Sequence, residues 1–197
     1  MSKAEKTRQF IIDKIATIFN KKGYAATSIA DMTGATGLTK GSIYGNFENK
    51  DAIALAVFKH NARSLSTLLA RRISLAETSY AKLNAILDFY RNNWKVFFAN
   101  GGCPIINTAT EADDQLPFLM IPVQNSLNEW ANKVIEIIEA GKKTGEFKAT
   151  VKPEKYAQEF LILLEGGLLL AKTMNNEQYL FKALDRILRI IKEEIRH

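Results

Sequence analysis

The chain has 197 residues, 47% of them hydrophobic, and a formal net charge of +6. This length allows one large domain, or a small domain joined to a larger one, with a sizeable core. No run reaches the ~20 apolar residues of a membrane-spanning helix, the N-terminus lacks the apolar segment of a secretory signal, and the single cysteine, Cys103, excludes an internal disulfide framework, so we expect a cytoplasmic protein.

Apolar residues recur at helical spacing along nearly the whole chain, and no run of any length alternates with the two-residue period of a β-strand. Ile11 and Ile15 fall on one face of a predicted first helix. That helix is expected to end at Gly23, because glycine readily adopts the positive φ that closes many helices. Two short helices follow, and Asn49 can cap a longer helix that runs to about Arg72.

Five further helices are predicted in the rest of the chain, with ends marked by proline, glycine and asparagine. They run from about Ala76 to Ala99, from Pro104, from near Pro117 to Gly141, from Pro153 to about Met174, and from there to about Ile195. The predicted fold class is therefore all-α, with about nine helices. The predicted domains are an N-terminal domain of residues 1–50, continuing into a linking helix to about residue 72, and a C-terminal domain of residues 73–197.

The two short helices follow the pattern of a helix-turn-helix. Thr27 or Ser28 can cap the first of them, and Thr39 can cap the second. Ile43 and Phe47, four residues apart, would bury the inner side of the second helix and leave its polar and basic side chains on the outer side. A helix that enters the major groove of DNA needs this combination of an apolar inner side and a hydrogen-bonding outer side.

The outer side of the second helix supplies chemistry for base edges and phosphates. Lys40 can meet a phosphate or the acceptor edge of guanine, and Ser42 and Asn46 are short enough to reach bases. Tyr44 and Thr39 suit phosphate oxygens through their hydroxyls, although Tyr44 could instead pack on the first helix. Lys50 is either a phosphate ligand at the start of the next helix or an ordinary solvated lysine. The candidate DNA-binding residues are Thr27, Ser28, Thr39, Lys40, Gly41, Ser42, Tyr44, Asn46 and Lys50.

The N-terminal quarter of the chain is distinctly basic. Residues 1–50 hold eight Lys or Arg against four Asp or Glu, whereas the remainder holds 19 against 17. Basic side chains that neutralise phosphates release counterions, which favours binding to a polyanion. Gly41 and Gly45 add little bulk to the outer side of the second short helix, so its backbone could approach DNA closely.

The stretch from about Thr7 to Val57 resembles the DNA-binding domain of the tetracycline-repressor (TetR) family. The matching patterns are Gly-Tyr-x-x-Thr-Ser-Ile from Gly23 and Gly-Leu-Thr-Lys-Gly-Ser-Ile-Tyr-x-x-Phe-x-x-Lys-Asp from Gly37. The resemblance implies an all-α homodimer, most often a repressor, whose first three helices and the start of the fourth bind double-stranded DNA at an inverted-repeat operator. Asn46 stands where this family often has His or Tyr, which leaves the base preference open.

Residues 101–114, Gly-Gly-Cys-Pro-Ile-Ile-Asn-Thr-Ala-Thr-Glu-Ala-Asp-Asp, resemble a subgroup of the family typified by the regulators LmrA and YxaF. By that resemblance, the C-terminal helices enclose a small-molecule pocket. Large aromatic side chains with a few polar groups also suit a small, largely apolar effector, although an ordinary packed core has the same composition. The candidate ligand-binding residues are Phe89, Tyr90, Trp94, Phe97, Phe98, Cys103, Ile106, Asn107, Thr110 and Trp130.

The last two helices are expected to form the homodimer contact, as the family resemblance implies. Each carries a broad apolar face, and the Gly166-Gly167 pair would permit close helix approach. A two-fold dimer also matches the symmetry of a palindromic DNA site. The residues assigned to these faces are Leu161, Leu164, Leu168, Leu180, Leu184, Ile187, Leu188 and Ile191.

An enzyme is disfavoured by what the sequence contains. His60 and His197 are its two histidines, and neither has the spacing of a metal-ligand motif. Glu111, Asp113 and Asp114 form a carboxylate cluster that suits a solvated helix end better than an active site. We therefore expect no cofactor, no metal and no catalysis.

Two other functions stay open at this point. One is a thiol-based, redox-sensing regulator using Cys103, because a thiol at the start of a helix can ionise more readily. A lone cysteine is, however, more often a small buried hydrophobe. The other is a structural all-α dimer with no role on DNA.

Overall fold

The structure, a computed structural model, describes residues 2–112 and 116–197. The described residues form no β-strand, apart from one isolated bridge between Phe147 and Arg196. The predicted all-α class is thus confirmed. The helices in this part of the chain are α1 (Lys3–Ala26), α2 (Ile29–Thr36), α3 (Lys40–Tyr44), α4 (Lys50–Ser74), α5 (Ser79–Ala99), α6 (Pro104–Ala112), α7 (Pro117–Lys143), α8 (Pro153–Thr173) and α9 (Gln178–Ile190), with a π-helical turn (Ile191–Ile195) after α9.

Several helix ends lie where the sequence predicts them, because short polar side chains or glycine fix them locally. The Asn49 side chain accepts a hydrogen bond from the Ala52 N–H at 2.8 Å, so it caps α4. Regular helix in α1 is interrupted at Gly23, which takes a φ of +79°. One further turn follows this kink, so α1 ends at Ala26 and not at the predicted Gly23.

The start of α5 differs from the prediction, since the helix begins at Ser79 rather than near Ala76. The Glu146 carboxylate accepts hydrogen bonds from the backbone N–H groups of Ser79 and Tyr80, each at 3.0 Å. Partial burial raises the pKa of Glu146, but the backbone hydrogen bonds, together with those from the Thr144 and Thr78 hydroxyls, outweigh that effect and hold the pKa below its ordinary value. A cap supplied from 67 positions away leaves no local signal in the sequence.

The described residues fall into two compact units, the first formed by residues 2–64 and 100–124 and the second by residues 65–99 and 125–197. In the first unit, α1, α2, α3 and the start of α4 bury a common core around Ile11, Ile15, Met32 and Ile43. Each of these four side chains is fully buried. This core fixes the mutual positions of the short helices.

The segment around α6, which the sequence analysis assigned to the C-terminal domain, belongs to the first unit. The Asn107 side-chain N–H donates hydrogen bonds to the Gly101 carbonyl at 2.8 Å and to the Asn20 carbonyl at 3.1 Å. The Asn20 side chain in turn donates to the Asn100 carbonyl at 2.6 Å. Gly101 has a φ of +100°, and a Cβ there would lie 2.8 Å from the Asn20 carbonyl oxygen. Side-chain amides and a close backbone approach therefore fasten this segment to α1.

In the second unit, α8 and α9 pack closely along their length. At Gly167 a Cβ would lie 2.6 Å from the Ala183 Cβ, so glycine is needed for this approach. Eight apolar residues of this region were predicted to form a dimer contact, and for six of them the prediction is wrong, because they form the core of the unit itself. The residues in question are Leu164, Leu168, Leu180, Leu184, Ile187 and Ile191, each no more than 2% exposed.

α8 retains a second apolar face that is open to solvent. Ile162, Leu169 and Leu170 lie on it with 72%, 47% and 48% of their surface exposed. A Cβ built on Gly166, between them along the helix, would meet nothing within 4 Å. Across the described residues, no helix has both the length and the apolar character needed to cross a bilayer.

Candidate nucleic-acid interface

Each short helix of the helix-turn-helix is fixed at its start by its own side chains. The Ser28 Oγ accepts a hydrogen bond from the Asp31 N–H at 3.1 Å, and the Asp31 carboxylate accepts one from the Ser28 N–H at 2.9 Å. The Thr39 Oγ1 accepts a hydrogen bond from the Ser42 N–H at 3.1 Å. Between these caps, Gly37 ends α2 in the left-handed conformation, with a φ of +69°. The turn predicted at Gly37 is therefore formed.

α3 has two different sides. Ile43 is 0% exposed, so the inner side is buried in the core of the first unit. Phe47, predicted on the same helix, is 3% exposed but lies three residues beyond the end of α3, because the helix stops at Tyr44. Lys40, Gly41 and Ser42 are exposed on the outer side. Apolar contacts thus hold the helix from behind, and its outer side presents an ammonium group, a hydroxyl group and uncovered backbone to solvent.

Tyr44 and Asn46, two of the predicted DNA-binding residues, also make contacts that stabilise α3 and its surroundings. Tyr44 is partly buried against the core of the first unit, the packing role that the sequence left open. The Asn46 side-chain N–H donates to the Ser42 carbonyl at 2.8 Å and closes the end of α3. A base contact by that N–H would require this hydrogen bond to break.

Thr27 does not belong with the other predicted DNA-binding residues. Its side chain is 0% exposed. Its hydroxyl donates a hydrogen bond to the Gly23 carbonyl at 2.6 Å. Thr27 is therefore an interior residue that holds the last turn of α1 against the kink. The adjacent Ser28 is exposed and stays a candidate.

Tyr24 connects the end of α1 to the start of α4. Its hydroxyl donates a hydrogen bond to the Asp51 carboxylate, and its ring centre lies 4.3 Å from the Lys50 Nζ. The hydrogen bond to Asp51, together with partial burial and the charge of that carboxylate, raises the pKa of Tyr24 to about 12. Lys50 is thus held against an aromatic face, which keeps its cation beside the first turn of α4.

Arg8 is a cation near α3 that the sequence analysis missed. Its Nη1 donates to the Asn46 carbonyl at 3.2 Å, and its guanidinium lies 4.1 Å from the centre of the Phe47 ring. The sequence signal was weak, since Arg8 precedes Asn46 by 38 residues. Lys22, by contrast, is paired with Asp31 at 2.6 Å. Arg8 therefore adds a positive charge beside the C-terminal end of α3.

The Asp31 carboxylate, which caps α2, has a lowered pKa, so the stability that it contributes depends on pH. The hydrogen bond from Lys22, followed by those from the Ser28 N–H and hydroxyl, lowers the pKa of Asp31 from 3.8 to about 2. Because the folded-state pKa is depressed, the stabilisation is fully present above the unfolded value and is lost as the pH falls through the folded value. In an NMR titration we expect the Asp31 carboxyl to have its midpoint near 2, and to move towards its ordinary value in the Lys22→Met variant. An unchanged midpoint would contradict the role given to Lys22.

α6 contacts the kink of α1. The Glu111 carboxylate accepts a hydrogen bond from the Tyr24 N–H at 2.6 Å. Gly23 lies so close that a Cβ built on it would overlap this carboxylate. Glu111 is therefore engaged with α1 and is not simply a solvated helix-end residue. Asp113 and Asp114, the other members of the predicted carboxylate cluster, lie outside the described residues.

Four predicted ligand-binding residues lie in the first unit, on α6 or just before it. Cys103 is 4% exposed, and its carbonyl accepts a hydrogen bond from the Asn107 N–H at 3.0 Å. The Thr110 hydroxyl donates to the Asn107 carbonyl at 2.9 Å. Ile106 is partly buried. The hydrogen bonds of Asn107 and Thr110 thus support α6 and its junction with α1.

Five of the other six predicted ligand-binding residues are aromatic side chains of α5. Tyr90 stacks on Phe97 with the ring centres 5.4 Å apart, inside the second unit. Trp94 makes edge-to-face contacts with Phe98 and with Phe181 of α9. These rings fill space against one another. The five are Phe89, Tyr90, Trp94, Phe97 and Phe98.

The remaining predicted ligand-binding residue, Trp130, lines a crevice within the second unit. The crevice is narrow, with room for about one water molecule. Its other walls, which include Leu83, Val134 and Phe160, were not predicted, because apolar core residues carry no signal of an adjoining cavity. Among the described residues, no cluster of His, Cys, Asp and Glu could hold a metal ion.

Comparison with known proteins places similarity over the whole chain. Residues 11–57 match the family model for bacterial regulatory proteins of the tetR family, and residues 79–187 match the model for the tetracyclin repressor-like C-terminal domain. A TetR-family transcriptional regulator from Cytophaga hutchinsonii has a similar structure, with a TM-score of 0.95 and 36% identity over 100% of this chain and 98% of its own. A TetR transcriptional regulator from Chloroflexus aurantiacus J-10-FL is also similar, with a TM-score of 0.92 and 32% identity over 100% and 99% of the two chains. The HTH-type transcriptional repressor DhaR from Mycobacterium sp. (strain GP1) is 22% identical over 95% of this chain and 91% of its own length.

Proposed function

This chain belongs to the tetR family of bacterial transcriptional regulators, and on that premise we propose that it is a cytoplasmic, dimeric repressor that binds an inverted-repeat operator and leaves it when a small molecule binds. The observation that supports this proposal most directly is that α3 has a buried apolar side and an exposed polar side. Ile43 and Phe47 hold it from behind, while Lys40, Gly41 and Ser42 face outward. A helix presented in this way can enter the major groove.

The outer side of α3 divides the work of recognition by chemistry. Lys40 is at the start of the helix and suits a phosphate or a guanine edge, and Ser42 is short enough to reach a base. Thr39, Arg8 and Lys50 suit phosphates, which position the protein without reading the sequence. We also propose that the protein belongs to the LmrA/YxaF-like subgroup of the family and that it represses transcription rather than activating it.

Salt dependence of DNA binding tests the proposal through the Lys40→Ala variant. We use a duplex that wild-type protein selects from a random-sequence pool. In a dimer the substitution removes two phosphate-facing charges, so we expect affinity to fall about tenfold and the slope of log affinity against log salt to shrink by about 1.8. Fluorescence anisotropy at several salt concentrations measures both quantities.

The Lys152→Ala variant is the matched control for Lys40→Ala. Lys152 is exposed just before α8, so its loss removes the same charge from the second unit. We expect its affinity and salt slope to stay within twofold of wild type. Failure of wild-type protein to select any duplex, or equal losses in both variants, would overturn the assignment of α3 as the DNA-binding surface.

The dimer contact is proposed to use the exposed face of α8 defined by Ile162, Gly166, Leu169 and Leu170. Three large apolar side chains on one helix face are costly to leave in water, and Gly166 allows a second helix to approach closely. This assignment keeps α8 from the predicted pair of helices. It replaces the residues within them, since those predicted from periodicity are largely buried inside the unit.

Release by a small molecule is proposed to act through helices shared by both units. α4 and α7 each continue without a break from residues of one unit into residues of the other. A ligand can shift operator affinity only if it binds the released conformation more tightly than the DNA-bound one. Effector binding in the second unit is therefore expected to tilt α4 and to move the two recognition helices out of register with successive major grooves.

Thiol sensing through Cys103 is the alternative, and burial of the side chain weighs against it. Because Cys103 is 4% exposed, we expect slow alkylation by N-ethylmaleimide in the native protein and rapid alkylation in denaturant. We also expect hydrogen peroxide to leave operator affinity unchanged in both wild type and the Cys103→Ala variant. Loss of DNA binding on oxidation in wild type but not in Cys103→Ala would favour the thiol sensor instead.

A further inference from the structure

We infer that Tyr24 is a positioning residue for DNA binding: its ring holds the Lys50 ammonium group ready for an operator phosphate, and α6 and the first turn of α7 hold Tyr24 itself in place. This inference rests on the proposed function, because Lys50 is one of the residues proposed to bind phosphates. All the residues that take part belong to the first unit.

The Lys50 side chain is restrained before DNA binds. A solvated lysine samples many rotamers, and fixing it on one phosphate costs conformational entropy. Lys50 is partly buried, and its Nζ lies over the Tyr24 ring at 4.3 Å from the ring centre, which is the geometry of a cation–π interaction. An ammonium group has three N–H donors, and the ring face engages one side of it, so donors remain for a phosphate oxygen. Part of the entropy cost therefore falls on folding rather than on DNA binding.

The charge of Lys50 is also available to a phosphate. None of the ion pairs found among the described residues includes Lys50. Asp51, its neighbour in the first turn of α4, instead accepts a hydrogen bond from the Tyr24 hydroxyl. The pKa of that hydroxyl is raised to about 12, so it stays protonated and donates throughout the neutral pH range. Tyr24 is thus tied to the same helical turn as Lys50.

Two contacts from outside the helix-turn-helix fix Tyr24. The Phe118 ring, in the first turn of α7, meets the Tyr24 ring edge to face, with the ring centres 6.1 Å apart and the planes at 68°. The Glu111 carboxylate of α6 accepts a hydrogen bond from the Tyr24 N–H at 2.6 Å. Tyr24 and Phe118 also pack against the core of the first unit. Backbone and ring are therefore both restrained, so the ring can serve as a fixed support for Lys50.

Two substitutions at position 24 separate the ring from the rest of the side chain. Tyr24→Leu removes the ring, whereas Tyr24→Phe keeps it and loses only the hydroxyl. With the duplex that wild-type protein selects, we expect Tyr24→Leu to weaken binding about four- to twenty-five-fold, because each of the two Lys50 side chains in a dimer loses about two- to fivefold. Tyr24→Phe should stay within about twofold of wild type, because the cation–π contact remains. Equal losses in the two variants would overturn the role of the ring.

The Lys50→Ala background distinguishes positioning from a general effect on folding. In anisotropy titrations, Lys50→Ala alone should weaken binding about tenfold and reduce the slope of log affinity against log salt by about 1.8, since a dimer loses two phosphate contacts. Adding Tyr24→Leu to Lys50→Ala should then change the affinity by less than about twofold, because no lysine is left to position. A merely structural role of Tyr24 predicts the same further loss in both backgrounds, and that result would overturn the proposal.

An NMR measurement on the free protein decides the matter even if Tyr24→Leu does not fold. The Lys50 ε-methylene protons, assigned by their absence from the spectrum of Lys50→Ala, should be shifted upfield by the Tyr24 ring current. The shift should persist in Tyr24→Phe. Unshifted signals in wild-type protein would show that the ring does not hold Lys50.

The Lys40→Ala variant separates this inference from the proposed function. If Lys40→Ala weakens operator binding and Lys50→Ala does not, α3 stays the DNA-binding surface and the inference about Tyr24 is wrong. If wild-type protein selects no duplex, the proposed function fails and the inference fails with it. We expect both lysine variants to bind the operator more weakly than wild type.

Discussion

The Ile162→Asp variant is expected to be monomeric and to bind operator DNA about 10²- to 10⁴-fold more weakly than wild type, because the second half-site is then no longer bound at a high effective concentration. Ile162 is the most exposed of the apolar residues on the outer face of α8, at 72%. A carboxylate placed there would have to be buried without a partner for the dimer to form. The same exposure means that folding of the single chain should be unaffected.

Sedimentation velocity measures the oligomeric state of Ile162→Asp, and fluorescence anisotropy measures its DNA binding. The Leu75→Asp variant is the matched control, since Leu75 is 74% exposed but belongs to the connection between α4 and α5 and not to α8. It should remain dimeric and bind DNA like wild type. A dimeric Ile162→Asp protein would show that the two chains meet elsewhere.

The Gly41→Leu variant is expected to fold normally and to lose about ten- to a hundredfold in operator affinity, as when a base-edge contact worth about 1–3 kcal/mol is lost. Gly41 is exposed on the outer side of α3, and the nearest atom to a Cβ built there is the Thr39 Oγ1 at 3.9 Å. The protein itself therefore has room for a side chain at this position. If the backbone of α3 lies against the groove of the DNA, a leucine side chain at position 41 would collide with the DNA.

The Gly34→Leu variant separates this effect from changes in helix stability. Gly34 is an exposed glycine of α2, and a Cβ there would meet nothing within 4 Å. Both substitutions replace a helical glycine, so both should raise stability by up to about 1 kcal/mol. Thermal unfolding and anisotropy titrations compare them. If Gly34→Leu weakened DNA binding as much as Gly41→Leu, α3 would not be the helix whose backbone lies closest to the DNA.

The sequence could predict the features that depend on neighbours along the chain. The all-α fold class follows from the spacing of apolar residues. The Ser28 and Thr39 side chains cap their helices by accepting hydrogen bonds from N–H groups three residues ahead. The burial of Ile43 follows from its place on the inner side of α3, and Phe47, predicted on the same helix, is buried three residues after α3 ends. Each of these features is decided within a turn or two of helix, where residue pattern and structure are tightly linked.

Features that depend on distant parts of the chain escaped sequence reasoning. Helical periodicity shows that Leu164 and Leu168 are buried, but it does not say whether the partner is α9 of the same chain or a second chain. Thr27 has a hydroxyl suited to phosphate, yet its hydrogen bond to the Gly23 carbonyl turns it inward. The Glu146 cap on α5 has the same character, because a distant carboxylate replaces the local signal.

The contact between Glu111 and the kink of α1 has a consequence for how this sequence can evolve. A side chain at position 23 collides with the Glu111 carboxylate, and a shorter residue at position 111 leaves the Tyr24 N–H without its acceptor. The φ of +79° at Gly23 disfavours any side chain there, and the Tyr24 N–H depends on a carboxylate that lies 87 residues away in the chain. Recombination that joins the N-terminal helices of one regulator to the α6 of another therefore has to supply an acceptor at position 111.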